Sequence, residues 1–196
     1  MTTNLSSQAG FSFGSFILEF VQSIVLALSV FVLVYLFIAQ PNEVKGSSMV
    51  PNFTDGEYLL TDKLTYQFSD PKRGDVVVFK APPSEPCSEN ECEYIKRVMG
   101  VPGDTVMVLE GKVYLNGKLL DQTFLPNDYV SDPGEFSVEG EEKIVPPGMY
   151  LAFGDNRSHS RDGREFGPIK KSLIVGRAFF KYWPFNSVGL IPTIRF

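Results

Sequence analysis

Apolar residues fall into two patterns along the chain. Residues 20–39 read FVQSIVLALSVFVLVYLFIA, a run without a single charge and long enough to cross a bilayer core as a helix. Gln22, Ser23 and Ser29 are its clearly polar members. Beyond Gln40 the pattern changes to short β-branched or aromatic runs bounded by Gly, Pro, Asn and Asp, which predicts strands joined by turns. Residues 57–61, 75–80, 94–99, 105–109, 112–115, 118–120, 149–153 and 174–182 fit this description. Asn116-Gly117 between two such runs predicts a hairpin closed by a type I′ turn. Residues 83–93 and 125–143 read as loop. No other stretch shows helical periodicity of any length. The expected fold is mainly β, an antiparallel domain preceded by one N-terminal transmembrane helix.

Alternatives for the apolar run are weaker. A cleaved secretory signal carries a positive start and an apolar segment of about 7–15 residues, whereas residues 1–19 hold no Lys or Arg. A buried core helix would show a polar face. The run therefore reads as an anchor over residues 20–40, after a short segment 1–19. Its orientation is less direct. The basic residues all follow it, yet a long folded domain translocates largely regardless of charge. Cys87 and Cys92, the only cysteines, stand in P-C-S-E-N-E-C-E. Such a pair in a polar loop fits one disulfide in an oxidising compartment, two free thiols being the other reading. A zinc site needs more ligands, and the single His159 is far away in sequence, so neither metal nor cofactor is expected. The net charge of −5 argues against a nucleic-acid partner, which needs a basic stripe.

Candidate chemistry begins at K-G-S-S-M-V-P-N-F, residues 45–53, where two serines follow a glycine. A serine hydroxyl is a poor nucleophile until a base takes its proton. His159, flanked by charge in R-S-H-S-R-D-G-R, reads as a surface residue. Lys96 lies in the predicted strand 94–99, where period-two alternation puts Tyr94, Lys96 and Val98 on one face. Ile95, Arg97 and Met99 share the other, with Arg97 free to point to solvent. A lysine buried among apolar groups loses hydration of its charged form and its pKa falls; a strand lysine that snorkels to water is the competing reading. Gly154 to Arg164 reads G-D-N-R-S-H-S-R-D-G-R. Such a loop can orient a catalytic group, with Ser160 accepting from a lysine amine and Asp162 paired to Arg164, or it can be a surface turn.

These segments, in this order behind an anchor, resemble the bacterial type I signal peptidases, the membrane-bound Ser/Lys endopeptidases. G-S-S-M-V-P-N-F is similar to the family's nucleophile box, R-G-D-V-V-V-F-K to its next strand, Y-I-K-R-V-M-G-V-P-G-D to its lysine box, and G-D-N-R-S-H-S-R-D-G-R-E-F-G to its last box. The K-Y-W-P stretch, residues 181–184, is also similar. The resemblance implies Ser48 as nucleophile, Lys96 as neutral general base, Ser160 as the group that orients the lysine, and Asp162 with Arg164 as a supporting ion pair. It implies an oxyanion site at the Ser48 backbone N–H, with Gly46 standing where a second, hydroxyl donor often lies. It implies shallow pockets for small residues at the first and third positions before the cut (Ala-x-Ala), at Val44, Met49, Phe53, Leu59, Val78, Tyr94 and Ile95, each of which can equally be core. It further implies that residues 41–104 and 146–196 form the catalytic β domain, with 105–145 a reduced β subdomain. The catalytic domain is placed outside the cell membrane on a single-pass anchor. Signal peptides of secreted preproteins and the lipid bilayer are the expected partners.

Three other readings compete. A self-cleaving repressor-type Ser/Lys protease would be soluble and carry a DNA-binding segment, which the anchor and acidic charge oppose. A specialised relative dedicated to one secreted substrate is compatible with every motif. An inactive membrane-tethered binding module keeping the fold is opposed by the presence of both Ser48 and Lys96.

Overall fold

The structure, a computed structural model, describes residues 13–86, 93–126 and 129–196. The Cys87–Cys92 disulfide expectation lies outside them. The chain divides into two units, Met1–Ile38 and Ala39–Phe196. The first holds helix α1 (Phe13–Phe37), 25 residues with no buried side chain, long and apolar enough to cross a membrane by length and composition. At 1.5 Å per residue it extends about 37 Å. Ser23 and Ser29 donate to the carbonyls of Glu19 and Val25, 2.9 and 2.7 Å away, so both hydroxyls are satisfied within the helix. The helix begins before the uncharged run because Phe13, Phe16, Ile17 and Leu18 continue the apolar pattern across Glu19. It ends before Gln40, where the chain has turned into a strand.

The second unit is built from two antiparallel sheets. Its strands are β1 (Ala39–Glu43), β2 (Tyr58–Asp62), β3 (Val76–Lys80), β4 (Glu93–Gly100), β5 (Thr105–Leu109), β6 (Lys112–Leu115), β7 (Lys118–Leu119), β8 (Lys143–Ile144), β9 (Met149–Phe153), β10 (Ile169–Lys170), β11 (Ile174–Trp183) and β12 (Gly189–Leu190). Two one-turn helices, α2 (Thr65–Phe68) and α3 (Gly163–Phe166), join them. The larger sheet runs β1-β2-β11-β3-β4-β9-β10, with β12 on β11, and the smaller runs β7-β6-β5-β8. Asn116 and Gly117 both have positive φ, 52° and 73°, the type I′ geometry that matches strand twist.

β1 has no counterpart among the predicted strands, because A-Q-P-N-E is polar and carries Pro41. Proline cannot donate to a ladder and is confined to sheet edges, and β1 is the edge strand, paired on one side to β2.

Three apolar clusters hold the strands. One, from Met99, Leu151 and Phe153 with Val106, Val113, Leu115 and Val145, joins the two sheets. A second gathers Val77, Phe79, Val98, Tyr150 and Ile169. The third, Val44, Met49, Phe53, Leu59, Val76 and Ala178, lies under the serine stretch. Strand β4 therefore has apolar partners on both faces, which corrects the solvent-facing expectation for Arg97: its side chain is 2% exposed, sealed in by a carboxylate described below.

Candidate active site

Short-range constraints fix the stretch that carries Ser48. Val44 and the Glu57 region pair through Val44 N–H to Glu57 O at 2.8 Å and Gly56 N–H to Val44 O at 2.9 Å. Gly46 turns the chain at φ +82°, a conformation costly to any residue with a Cβ, and its N–H donates to Asp55 Oδ1 at 2.6 Å. Residues 47–50 form a turn closed by Val50 N–H to Ser47 O at 3.2 Å. Met49 and Phe53, at 0% and 3% exposure, anchor the turn in the core, leaving Ser48 half-buried above them.

Lys96, on β4, meets this turn. Its Nζ lies 2.7 Å from Ser48 Oγ and donates to the carbonyl of its neighbour Ile95 at 3.0 Å. The Tyr94 ring centroid is 5.5 Å from the same nitrogen. Only 4% of the residue is exposed. Burial pushes the ammonium down to about 8, against partial restoring fields from Asp162 and Asp155, while Arg164 adds to the depression. An amine with that pKa is neutral in about a tenth of molecules at pH 7, and its lone pair then faces the Ser48 hydroxyl. Ordinary strand lysines keep their charge in water, so a buried amine in this position is unusual.

The loop after β9 encloses the pair from the other side. Asp162 Oδ1 accepts from Arg164 Nε and N at 3.0 Å each, and Oδ2 accepts from Arg164 Nη2 at 2.9 Å and Gly154 N–H at 2.8 Å. Arg164 Nη1 and Nη2 also reach the carbonyls of Asp132 and Arg157 at 3.0 and 2.5 Å. Both side chains are almost fully buried. Ser160 Oγ is buried without a hydrogen-bond partner among the described residues. It packs against Gly154, where a Cβ would fall 2.1 Å from Ser160 Oγ and 2.5 Å from the Ser48 carbonyl oxygen. Gly154→Ala is therefore expected to displace the Ser48 backbone and lower kcat by about a hundredfold, since about 1 Å of misplacement has that effect. Peptide cleavage by the folded variant at wild-type rate would refute this.

Several site residues carry no sequence signal of their own. Arg97 points away from Lys96 and grips Asp155 through Nε–Oδ1 and Nη2–Oδ2 at 2.8 and 2.6 Å. Asn156 N–H and Nδ2 donate to the carbonyls of Ser48 and Ser47, each at 3.0 Å. Arg157, pushed down to about 10 by burial, ties Gly154 O to Gln122 and to Ser131 Oγ, 2.8 Å away. Apart from the Gly154 carbonyl, their partners are distant in sequence, which no local pattern reveals.

A cavity of about 510 Å³ opens over the pair, lined by Val44, Ser48, Leu59, Val78, Tyr94, Ile95 and Lys96 together with Pro41–Glu43, Lys45, Glu93 and Arg161. Five of the expected pocket residues thus share one cleft with Ser48 and Lys96. Met49 and Phe53 do not line it and belong to the core cluster beneath. β1 borders the cleft with the edge that β2 leaves unpaired. At the end of the cleft β1 and β4 are bridged by Asn42 Nδ2 and Gln40 Nε2 to Glu93 Oε2, at 2.9 and 3.3 Å. His159 is exposed and contacts Ser158, apart from this constellation.

A family model described as signal peptidase, peptidase S26, matches residues 17–183. The chain is 37% identical over 183 residues to signal peptidase IB of Staphylococcus aureus, covering 87% of this chain and 91% of that protein. It is 35% identical over 174 residues to a probable signal peptidase I-2 of Synechocystis sp., covering 89% and 77%. A crystal structure of a signal peptidase I from Enterococcus faecalis V583 aligns at 28% identity and a TM-score of 0.44, over 56% of this chain and 97% of that one. The chain belongs to the signal peptidase family, peptidase S26, and is a serine endopeptidase of the kind that removes signal peptides.

Proposed function

We propose that the chain is a membrane-tethered Ser/Lys endopeptidase that cuts exported preproteins after small residues, with Ser48 as nucleophile and neutral Lys96 as general base. The observation that carries this reading is the 2.7 Å contact between Ser48 Oγ and a buried amine whose pKa is pushed down to about 8. The Lys96 amine, oriented by the Ile95 carbonyl, takes the Ser48 proton as Oγ attacks the scissile carbonyl. The lysine then returns that proton to the leaving amine and draws one from the deacylating water. Ser160, whose hydroxyl has no partner among the described residues, supplies the lysine's second orienting group once substrate fills the cleft. Asp162 and Arg164 hold the loop that presents it.

Peptide binding follows from the sheet. An extended segment adds to the free edge of β1, so backbone hydrogen bonds supply affinity and alternate side chains enter the cleft. Val44, Leu59, Val78, Tyr94 and Ile95 leave shallow apolar space, which favours small residues at the first and third positions before the cut. Residues 105–145, which carry the smaller sheet, are the reduced subdomain in this reading. Helix α1 is the single-pass anchor, with the catalytic domain on the extracytoplasmic side. The acidic chain is expected to bind no nucleic acid.

A preprotein whose signal ends in Ala-x-Ala, presented to the full chain in detergent micelles, is expected to be cut after the last Ala. Replacing either Ala by Phe is expected to lower kcat/KM at least tenfold, the usual penalty for a side chain that overfills an apolar pocket. Mass spectrometry locates the cut. Equal cleavage of the Phe variants, or a cut elsewhere, would sink the specificity reading.

A further inference from the structure

Asn156 does not line the cleft, yet it makes two bonds to the nucleophile's backbone. Its N–H donates to Ser48 O, and its Nδ2 donates to Ser47 O, each at 3.0 Å. The second bond reaches further than it first looks. The Ser47 carbonyl and the Ser48 N–H belong to one planar trans peptide and point in opposite directions; the only cis bonds among the described residues precede Pro51 and Pro184. Whatever fixes the Ser47 carbonyl therefore fixes the direction of the Ser48 N–H. A carbonyl oxygen has two lone pairs. Val50 N–H takes one at 3.2 Å, closing the turn, and Asn156 Nδ2 takes the other. Among the described residues no acceptor takes the Ser48 N–H itself. It remains available to a charge developing beside Oγ. Gly46 offers no side chain there, and its own N–H is committed to Asp55.

We infer that Asn156 is a positioning residue for the reaction, aiming the Ser48 N–H at the oxyanion by holding the far end of the same peptide plane. This rests on the assignment of Ser48 as nucleophile. As Oγ bonds to the scissile carbon, the carbonyl π pair moves onto oxygen and the Ser48 proton passes to Lys96 Nζ. The oxygen that gains charge then lies against the Ser48 N–H, whose direction Asn156 sets. A preorganised donor of this kind acts only when charge appears, so its loss falls on kcat rather than on substrate binding.

The test compares Asn156→Ala and Asn156→Asp with the wild-type full chain in micelles. Asn156→Asp keeps the backbone N–H and the side-chain shape but lacks the Nδ2 donor. Both variants are assayed for kcat and KM on an Ala-x-Ala peptide. They are also titrated with a peptide aldehyde, which forms a tetrahedral adduct with Ser48 bearing an oxyanion, and with a peptide whose scissile amide is replaced by a reduced CH2–NH link. The expected result is a tenfold to hundredfold parallel fall in kcat and aldehyde affinity, up to about the effect of removing one oxyanion donor. KM and affinity for the reduced peptide should stay within about twofold. The inference is overturned if kcat is unchanged, or if the reduced peptide weakens as much as the aldehyde, which a merely loosened loop would produce. A Ser48→Ala protein that still cleaves would defeat the nucleophile assignment itself. Cleavage that depends on Ser48 but not on Asn156 defeats only this inference.

Discussion

Replacing Lys96 by Met is expected to abolish cleavage while making the folded domain more stable at neutral pH. The two effects have one cause. The lysine is kept in a place where its charged form is poorly solvated, with 4% of the residue exposed and its pKa pushed down to about 8 by burial. Without the amine no described side chain is bonded to the Ser48 hydroxyl, and on the proposed dyad the loss of a base that works as a unit with its nucleophile lowers kcat by about ten-thousand-fold or more. Ser48→Ala should match it. In the wild type, kcat/KM should rise with pH through a limb centred near 8, as the ammonium gives way to the amine. A limb centred well below 7 would contradict a lysine base with this environment.

The stability half of the prediction has a definite sign. The folded-state pKa lies below the unfolded value of about 10.4, so between about 8 and 10.5 the unfolded chain binds more protons, and wild-type stability rises with pH across that window. Below pH 8 the folded protein carries the full cost of a buried ammonium, about 3 kcal/mol. Methionine removes that cost but forfeits the bonds to Ser48 and Ile95, about 1 kcal/mol, leaving the variant about 2 kcal/mol more stable at pH 7. Unfolding both proteins in urea at several pH values isolates the effect, because the other titrating groups are common to both. The gap should close between about pH 9 and 10 and reverse above about 10.5, where the amine is neutral in both states and the wild type keeps its bonds to Ser48 and Ile95, about 1 kcal/mol. A gap that does not change with pH would mean that Lys96 titrates normally.

How much of this site is legible in the sequence depends on whether a residue's partner is local. Strands β5, β6 and β7 of the smaller sheet follow directly from alternation and the Asn116-Gly117 turn, whereas β8 begins in a stretch that reads as loop. Strand β1 is invisible to the same reasoning, because Pro41 and polar neighbours suit an edge strand whose role is to border a cleft. Lys96 is ambiguous by pattern alone: alternation assigns it a face but cannot say that both faces of β4 are covered. Arg97 shows the same limit from the other side. A charge on a strand reads as solvent-facing until a buried carboxylate, 58 positions later in the chain, appears beside it. Asn156 is harder still, since its partners are carbonyls that every residue owns. The motif resemblance names Ser48, Lys96 and the Gly154–Arg164 loop together, but the distances between them come from the fold.

That buried carboxylate carries the largest expected stability effect. Asp155 is 0% exposed and Arg97 2%, and the pair is completed by Asn52 Nδ2 to Asp155 Oδ2 at 2.9 Å and Arg97 Nη1 to Gly74 O at 3.0 Å. Asp155→Ala leaves a guanidinium sealed in the interior without its counter-charge, a change that costs about 3–5 kcal/mol. For a chain of this size the melting temperature should fall by about 6–20 °C. Arg97→Met with Asp155→Leu should recover most of that loss, because an apolar pair of similar volume needs no hydration. The pair also borders the chemistry, since Asp155 helps hold the Lys96 pKa up. At a temperature where Asp155→Ala remains folded, the acidic limb of its pH profile should therefore move below the wild-type position. Scanning calorimetry and a pH series separate these outcomes. An Asp155→Ala protein that melts with the wild type would show that the interior tolerates the lone guanidinium. A limb that stays in place would show that the lysine does not sense this carboxylate.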